Sequence, residues 1–400
     1  MWAIANNLND ILIKQFEKAL RLSRAQASLI QVAFYLAYFA FALPIGHVMK
    51  RLGLKRTMVL GLCLYALGAA VFYPAADIGA FWVFLVALFV IASGVICLEI
   101  AAGAFIVLGG AAESSAFRIN LAQAFNGLGA VVAPLIGGFF ILSGNERSGA
   151  QMAALSASQL RQFQHVELHR VQLPYLWIGI VAVAIALSIG LTKFPAEDQA
   201  RRGVPVSYAA LFRAKSFTMA LVSQFFYVGA QVAVWSFFID FVKSTRADVP
   251  ERTAAYLLSG SLVLFMLGRF SGSILLRYVA APKALRLYAA LAAACVAGAV
   301  LLDGYSSIAS LMLVSFFMSI MYPTNFDLGI KAAGAQSHIG AAVMVMTIVG
   351  GAIVPLALGI VADRIGMRNG YLVLIVCFLP VFIFGCTALS HGDHRELANQ

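Results

Sequence analysis

Of 400 residues, 11% are charged and 62% apolar, where soluble domains carry roughly 25% and 45–50%. No soluble core needs so many apolar runs of about 17 residues or more, so the composition is that of a membrane protein. The net charge of +11 excludes little by itself, because the bases sit in short connections between apolar runs, where membrane topology rather than nucleic-acid binding places them. Cys63, Cys97, Cys295, Cys377 and Cys386 lie within or at the ends of apolar segments and form no CxxC pattern. Neither a disulfide framework nor a zinc site is signalled.

Near its start the chain carries a polar cluster, Asn6-Asn7-Leu8-Asn9-Asp10, and no cleavable signal peptide is expected. On a helix, Asn6 and Asp10 stand four apart and Asn7 and Asp10 three apart, so these side chains share a face. An acid on such a face inside a bilayer costs roughly 2.5–3.5 kcal/mol on insertion scales, which makes function its default reading. Only Met1 to Ala5 precede the cluster, whereas a span needs about 20 residues. The expectation is a further ten to fifteen or so apolar residues upstream.

Eleven more hydrophobic segments follow, at about 27–49, 57–73, 80–108, 118–142, 173–193, 217–242, 254–279, 284–303, 306–330, 338–362 and 369–389. With the short first one this predicts an all-α integral membrane protein of twelve spans. The most polar connection, Lys193 to Lys215, carries Pro195, Glu197, Asp198, Arg201, Arg202, Gly203 and Pro205, and reads as a linker. The expected domains are therefore a six-helix bundle over 1–193, a cytoplasmic linker over 194–216 and a second bundle over 217–400. Lys50, Arg51, Lys55 and Arg56 in the second connection, with the basic linker, put both termini in the cytoplasm. Lys14, Lys18, Arg21 and Arg24 point the other way, so the bias is small.

An internal repeat supports two halves. Gly46-x4-Arg51 recurs as Gly272-x4-Arg277, and Gly129-x4-Pro134-x3-Gly138 recurs as Gly350-x4-Pro355-x3-Gly359, at nearly equal offsets. Such matched spacings indicate parallel duplication of a six-helix unit. The long 143–172 connection contains a polar helical stretch with His165, Glu167 and His169. Two histidines at i,i+4 would suit zinc, but the pattern is not H-E-x-x-H, and a solvated surface helix is the expected outcome.

Within the apolar segments the polar residues are few. Glu99 sits in the fourth, among apolar or small neighbours, where low dielectric disfavours its charged form and suits it to proton exchange. Asn120, Gln123 and Asn126 form one stripe in the fifth. Uncharged amides both donate and accept, which suits sugar hydroxyls; interhelical hydrogen bonding is the competing reading. In the seventh, Gln224, Tyr227, Gln231 and Trp235 recur at three- and four-residue steps, an aromatic platform beside amides or ordinary packing. Tyr322 and Asp327 lie in the tenth, Asp240 near the end of the seventh, and Arg269 in the eighth, near enough its end to snorkel. No nucleophile elbow, P-loop or metal-ligand spacing appears, so an enzyme or an ATP-driven pump is not expected.

The twelve segments, the six-plus-six repeat and the basic second connection resemble the major facilitator superfamily. More narrowly, Ala5-Asn6-Asn7-Leu8-Asn9-Asp10, Cys97-Leu98-Glu99, Asn120-Leu121-Ala122-Gln123-x-Phe125-Asn126, Tyr227-Val228-Gly229-Ala230-Gln231 with Trp235, Gly268-Arg269-Phe270 and Met346-Thr347-Ile348 resemble the fucose/galactose/glucose:proton symporter family, the L-fucose:proton symporters most closely. The resemblance implies proton-coupled sugar symport at the inner membrane, with the proton as coupling ion and no cofactor or metal. It assigns proton coupling to Asp10 and Glu99, and sugar contact to Asn7, Gln123 and Asn126 with Trp2 and Trp235 nearby. Asn120, Gln231 and Tyr322 complete the expected substrate-binding set. A monomer in the lipid bilayer is expected. The chain departs from the family pattern at Ile100 and Gly103-Ala104 after the glutamate, at Met321 and Asp327, and at Lys50, which leaves the sugar's identity open. A proton-coupled antiporter of the same fold, suggested by Gly129-x4-Pro134-x2-Gly137-Gly138, and a non-transporting membrane sensor remain as alternatives.

Overall fold

The computed structural model describes residues 12, 15, 16, 19, 20, 29–136, 140, 155–194 and 206–398. Among them every regular element is helical. In order these are α1 (Leu29–Leu52), α2 (Leu54–Ile78), α3 (Phe81–Leu108), α4 (Ser115–Ile136), α5 (Ala157–His169), α6 (Gln172–Leu191), α7 (Tyr208–Arg213), α8 (Lys215–Ser236) and α9 (Phe238–Thr245). There follow α10 (Glu251–Leu275), α11 (Ala281–Leu301), α12 (Gly304–Met318), α13 (Met321–Ala333), α14 (Ser337–Met346), α15 (Gly350–Ile365), α16 (Met367–Gly370) and α17 (Leu372–Ala398). The helices match the apolar segments because a chain in hydrocarbon must pair its own N–H and C=O groups, and a helix does so within one segment.

Eight helical stretches among the described residues are long and apolar enough to cross a membrane. One of them, Gly304–Ile365, is 62 residues long and would extend about 93 Å as a single rod, three times the hydrocarbon thickness. It instead folds back at Gly334, whose φ of 53° lies in the left-handed region, and so holds both the tenth and the eleventh expected spans. The tenth is itself interrupted between α12 and α13. Pro323 has no N–H to give to the preceding turn, and α13 restarts from Ile320, whose carbonyl accepts the Thr324 N–H at 3.1 Å.

The chain divides into two compact units. One comprises Met1–Ala102 and Phe125–Glu197, the other Gly103–Ala124 and Asp198–Gln400. The division thus runs through α3 and α4. In the first unit α2 and α3 meet backbone to backbone. A Cβ on Gly94 would lie 2.5 Å from the Gly61 carbonyl oxygen and 2.6 Å from the Tyr65 nitrogen. In the second unit α15 makes the same kind of approach to α8, where a Cβ on Gly350 would run into the Phe225 carbonyl oxygen. Gly350 opens the second copy of the repeated Gly-x4-Pro motif, so there the repeat marks a helix contact that tolerates no side chain.

In the first unit α5 is amphipathic and lies against the end of α2. It starts in a capping box, with the Ser156 hydroxyl accepting from the Gln159 N–H and the Gln159 side chain accepting from the Ser156 N–H. Glu167 and Leu168 are buried, and the Glu167 carboxylate accepts from the Gln15 amide at 2.9 Å.

Candidate functional site

Trp2, Asn7 and Asp10 lie outside the described residues; the other predicted site residues fall in both units. In the first unit, Glu99 sits within α3 and is 8% exposed. The α3 sequence is apolar on all sides, which is what buries it: Val95, Ile96, Cys97 and Ile100 are all inside. Tyr38, from α1, donates its hydroxyl to Glu99 Oε2 at 2.9 Å. A buried carboxyl group gripped by a neutral donor can be carried either charged or protonated without losing its partner, since the hydroxyl both donates and accepts. The tyrosine was absent from the sequence-based set. It lies 61 residues away, in a segment whose apolar run gives no reason to single it out.

Asn126, at the start of the first unit's share of α4, is half-buried. It is thus separated by the unit boundary from Gln123, with which it shares a helical stripe.

The second unit gathers several predicted residues into one line of contacts. Gln123 is buried, and Arg269 Nη1 donates to its backbone carbonyl at 2.6 Å and to its side-chain Oε1 at 3.2 Å. Arg269 is 6% exposed and lies over the Phe265 ring at 4.6 Å, so it does not snorkel to the surface. Among the described residues no carboxylate pairs with it, and its Nε has no partner there. Phe265 in turn meets Trp235 edge-on, with ring centroids 4.9 Å apart at 87°. The Trp235 indole N–H donates to Ser315 Oγ at 3.1 Å, and Ser315 is 2.7 Å from the Ser261 hydroxyl. Gln231, one turn earlier on α8, is half-buried. The physical consequence is a guanidinium held in an apolar setting by an amide and an aromatic face, with an indole beyond it. These are the group types that bind sugars, donors and acceptors for hydroxyls and aromatic rings for C–H faces.

Asn120 behaves differently. It is fully buried, and its amide N–H groups go to the Ala116 carbonyl at 2.8 Å and the Thr324 hydroxyl at 3.2 Å. Here the interhelical role is the one the geometry displays, while its Oδ1 has no partner among the described residues. Tyr322 is half-buried, its ring parallel to Phe326 at 6.3 Å. Gln224, one turn before Tyr227, is fully buried, with neither amide atom partnered among the described residues. Tyr227 is spent structurally, donating to the Met318 carbonyl at 2.9 Å.

Two departures from the family pattern also find a place in the second unit. Gly103 abuts the Phe326 ring, where a Cβ would be 2.7 Å from Cε1. Asp327 is fully buried and accepts from Lys331 at 2.9 Å across one helical turn. Asp240, by contrast, is exposed.

The family model described as Major Facilitator Superfamily matches residues 2–355. The chain belongs to this superfamily. A superfamily relative, the L-fucose-proton symporter of Escherichia coli strain K12, is 42% identical over 392 residues, covering 96% of this chain and 90% of the relative. The glucose/galactose transporter of Brucella abortus biovar 1 is 36% identical over 388 residues, covering 96% and 90%. The crystal structure of the superfamily transporter FucP in the outward conformation superposes with a TM-score of 0.90 at 41% identity, covering 97% of this chain and 95% of that one. The architecture is therefore the all-α, multi-pass membrane fold of the major facilitators.

Proposed function

We propose that this chain is a proton-coupled symporter of L-fucose or a related monosaccharide, working by alternating access in the inner membrane. The observation that carries the proposal is Glu99: a carboxyl group inside a membrane-spanning helix, 8% exposed and held by Tyr38, in a chain 42% identical to a fucose-proton symporter. Intramembrane acids are costly and are retained where protons or ions move. Glu99 and Asp10 are the coupling acids on this reading. Sugar lies against the amides and aromatics of Asn7, Gln123, Asn126, Gln231 and Trp235, with Trp2 and Tyr322 bordering it, while Asn120, committed to Ala116 and Thr324, serves as a helix-to-helix contact. The two bundles, 1–193 and 217–400, joined by the 194–216 linker, rock about the bound sugar. The protein works as a monomer, with the proton as its coupling ion and no cofactor.

The driving force is sufficient. Each proton moved inward contributes about 2.3 kcal/mol per 100 mV of membrane potential, which sustains roughly fifty-fold accumulation of a neutral sugar. The direct test is a panel of monosaccharides added to lightly buffered vesicles containing the purified protein. Addition of a transported sugar should raise the external pH as protons enter with it. Silence across the panel, with resistance of expressing cells to lipophilic dyes, would replace the symporter by an antiporter.

Two variants probe the roles individually. Gln123→Ala removes the side-chain acceptor of Arg269 and one candidate sugar contact, and should weaken sugar binding by up to about tenfold, the value of one hydrogen bond between neutral groups. Calorimetric titration showing unchanged affinity would take α4 out of the site. Asp10→Asn should abolish uphill uptake while sugar exchange survives; acid-driven accumulation by that variant would end its assignment.

A further inference from the structure

Outside the site, one cluster brings three potential ligands together. Asp77, His165 and His169 each place a ligand atom within 4.8 Å of the other two. His165 and His169 stand one turn apart on α5, their rings stacked at 3.7 Å. Asp77 comes from the last turn of α2, 92 residues away from His169 in sequence. All three belong to the first unit, and Gln172 ties the same corner together by donating to the Tyr73 carbonyl at 2.9 Å.

For His169 and Asp77 the hydrogen bonds dictate which atoms face each other. His169 Nδ1 lies 2.7 Å from the His165 carbonyl oxygen, which can only accept, so Nδ1 carries a hydrogen. In the neutral ring that leaves the lone pair on Nε2, aimed at Asp77 Oδ1 at 2.9 Å. Two electron-rich atoms at that distance require something positive between them. A carbonyl accepting from Nδ1 is also what orients metal-binding imidazoles and raises their donor strength.

Electrostatics favour a cation there. Asp77 sits at the C-terminal end of α2 and both histidines in the last turns of α5, so two negative helix ends converge on a carboxylate. The cationic side chain next in sequence, Arg170, is turned to Glu167 at 3.9 Å, and Arg161 lies a turn back along α5. Two imidazoles and one carboxylate form a borderline donor set that suits Zn²⁺, Co²⁺ or Ni²⁺ rather than Mg²⁺ or Ca²⁺. Tetrahedral ligation at about 2.1 Å spaces donor atoms about 3.4 Å apart, so Nε2 and Oδ1 must part by about half an ångström and the His165 ring, stacked on His169, must turn to bring a nitrogen to the same point.

The geometry points to a divalent transition-metal site at Asp77, His165 and His169, at the end of α2 away from the basic Lys50–Arg56 connection, with water completing the coordination. A bound metal would fasten α5 to α2.

The experiment uses the full chain freed of any histidine tag, in lipid nanodiscs near neutral pH. Zn²⁺ is titrated in competition with a chromophoric chelator, and Co²⁺ is followed by its visible d–d absorption. The expected result is one Zn²⁺ per chain, with His165→Ala, His169→Gln and Asp77→Asn each weakening binding at least about tenfold. Sugar binding by the same variants serves as the check that they are folded. Failure to bind Zn²⁺ in stoichiometric amount would overturn the site, leaving a protonated His169 paired with Asp77 as the whole interaction. Binding that survives all three substitutions, or that Mg²⁺ matches, would overturn it equally. None of these outcomes touches the assignment of sugar transport, because the three residues lie outside the proposed sugar and proton site.

Discussion

Glu99→Gln should reduce proton-driven sugar accumulation from tens-fold to none while leaving sugar exchange across the membrane intact. Glutamine preserves the shape of the side chain and still accepts the Tyr38 hydroxyl, which stands 2.9 Å from Oε2 in the parent protein. What it cannot do is take up and release a proton. The energetic consequence is the whole of the coupling, about 2.3 kcal/mol per 100 mV for each proton no longer carried. Measured in vesicles, the variant should equilibrate labelled sugar but never concentrate it, and should leave external pH unmoved when sugar is added. Tyr38→Phe is the informative companion. It removes the hydroxyl donated to Glu99 Oε2 and should impair coupling by less, because the carboxyl group itself remains. A Glu99→Gln protein that still accumulates sugar against a gradient would remove α3 from the proton path and leave Asp10 as the sole candidate.

The second large effect is on folding rather than transport. Gly94→Val should prevent the first unit from assembling. Its Cβ alone would come within 2.5 Å of the Gly61 carbonyl oxygen and 2.6 Å of the Tyr65 nitrogen, both main-chain atoms that no side-chain rotation can withdraw. Relief requires α2 and α3 to separate, and Leu62, Tyr65, Ile91 and Val95 on these helices are all buried. In a bilayer helices gain little from hydrophobic exclusion, so association rests on such close packing. The expected outcome is loss of monodisperse protein on size-exclusion chromatography in detergent. Gly190→Val, at a glycine with open space where its Cβ would go, should behave as the parent does. Equal yields from the two variants would show that the α2–α3 approach is not what holds this unit.

How much of this was legible beforehand depends on how local the determining physics is. The spans were, because each is set by its own composition. Leu54–Ile78, Phe81–Leu108 and Ala281–Leu301 fall within a few residues of the apolar runs that predicted them. The acid in α3 was also legible, since one glutamate among apolar neighbours stands out without any knowledge of its surroundings. Its partner was not. Arg269 was read as a residue near a helix end with freedom to reach the surface, and it proves to be buried against Gln123 and Phe265. Likewise Asn120 shared a stripe with Gln123 and Asn126, yet its amide is committed to Ala116 and Thr324. A stripe specifies which residues share a face; it does not say what lies opposite.

The same limit governed the histidines of α5. Their i,i+4 spacing was visible, but two ligands on a solvated helix argue weakly for a metal, and the third came from the end of α2. The amino-acid sequence alone settled that the chain is helical, that it crosses the bilayer many times and that it carries an acid where hydrocarbon should be, because a bilayer imposes length and polarity on each segment separately. Folding decided what each of those polar groups touches. Tyr38 and Glu99 are 61 residues apart in the chain, Gln123 and Arg269 146. Bringing them within hydrogen-bond distance depends on the rotation and depth at which neighbouring helices pack, which arise only when several helices bury their faces together.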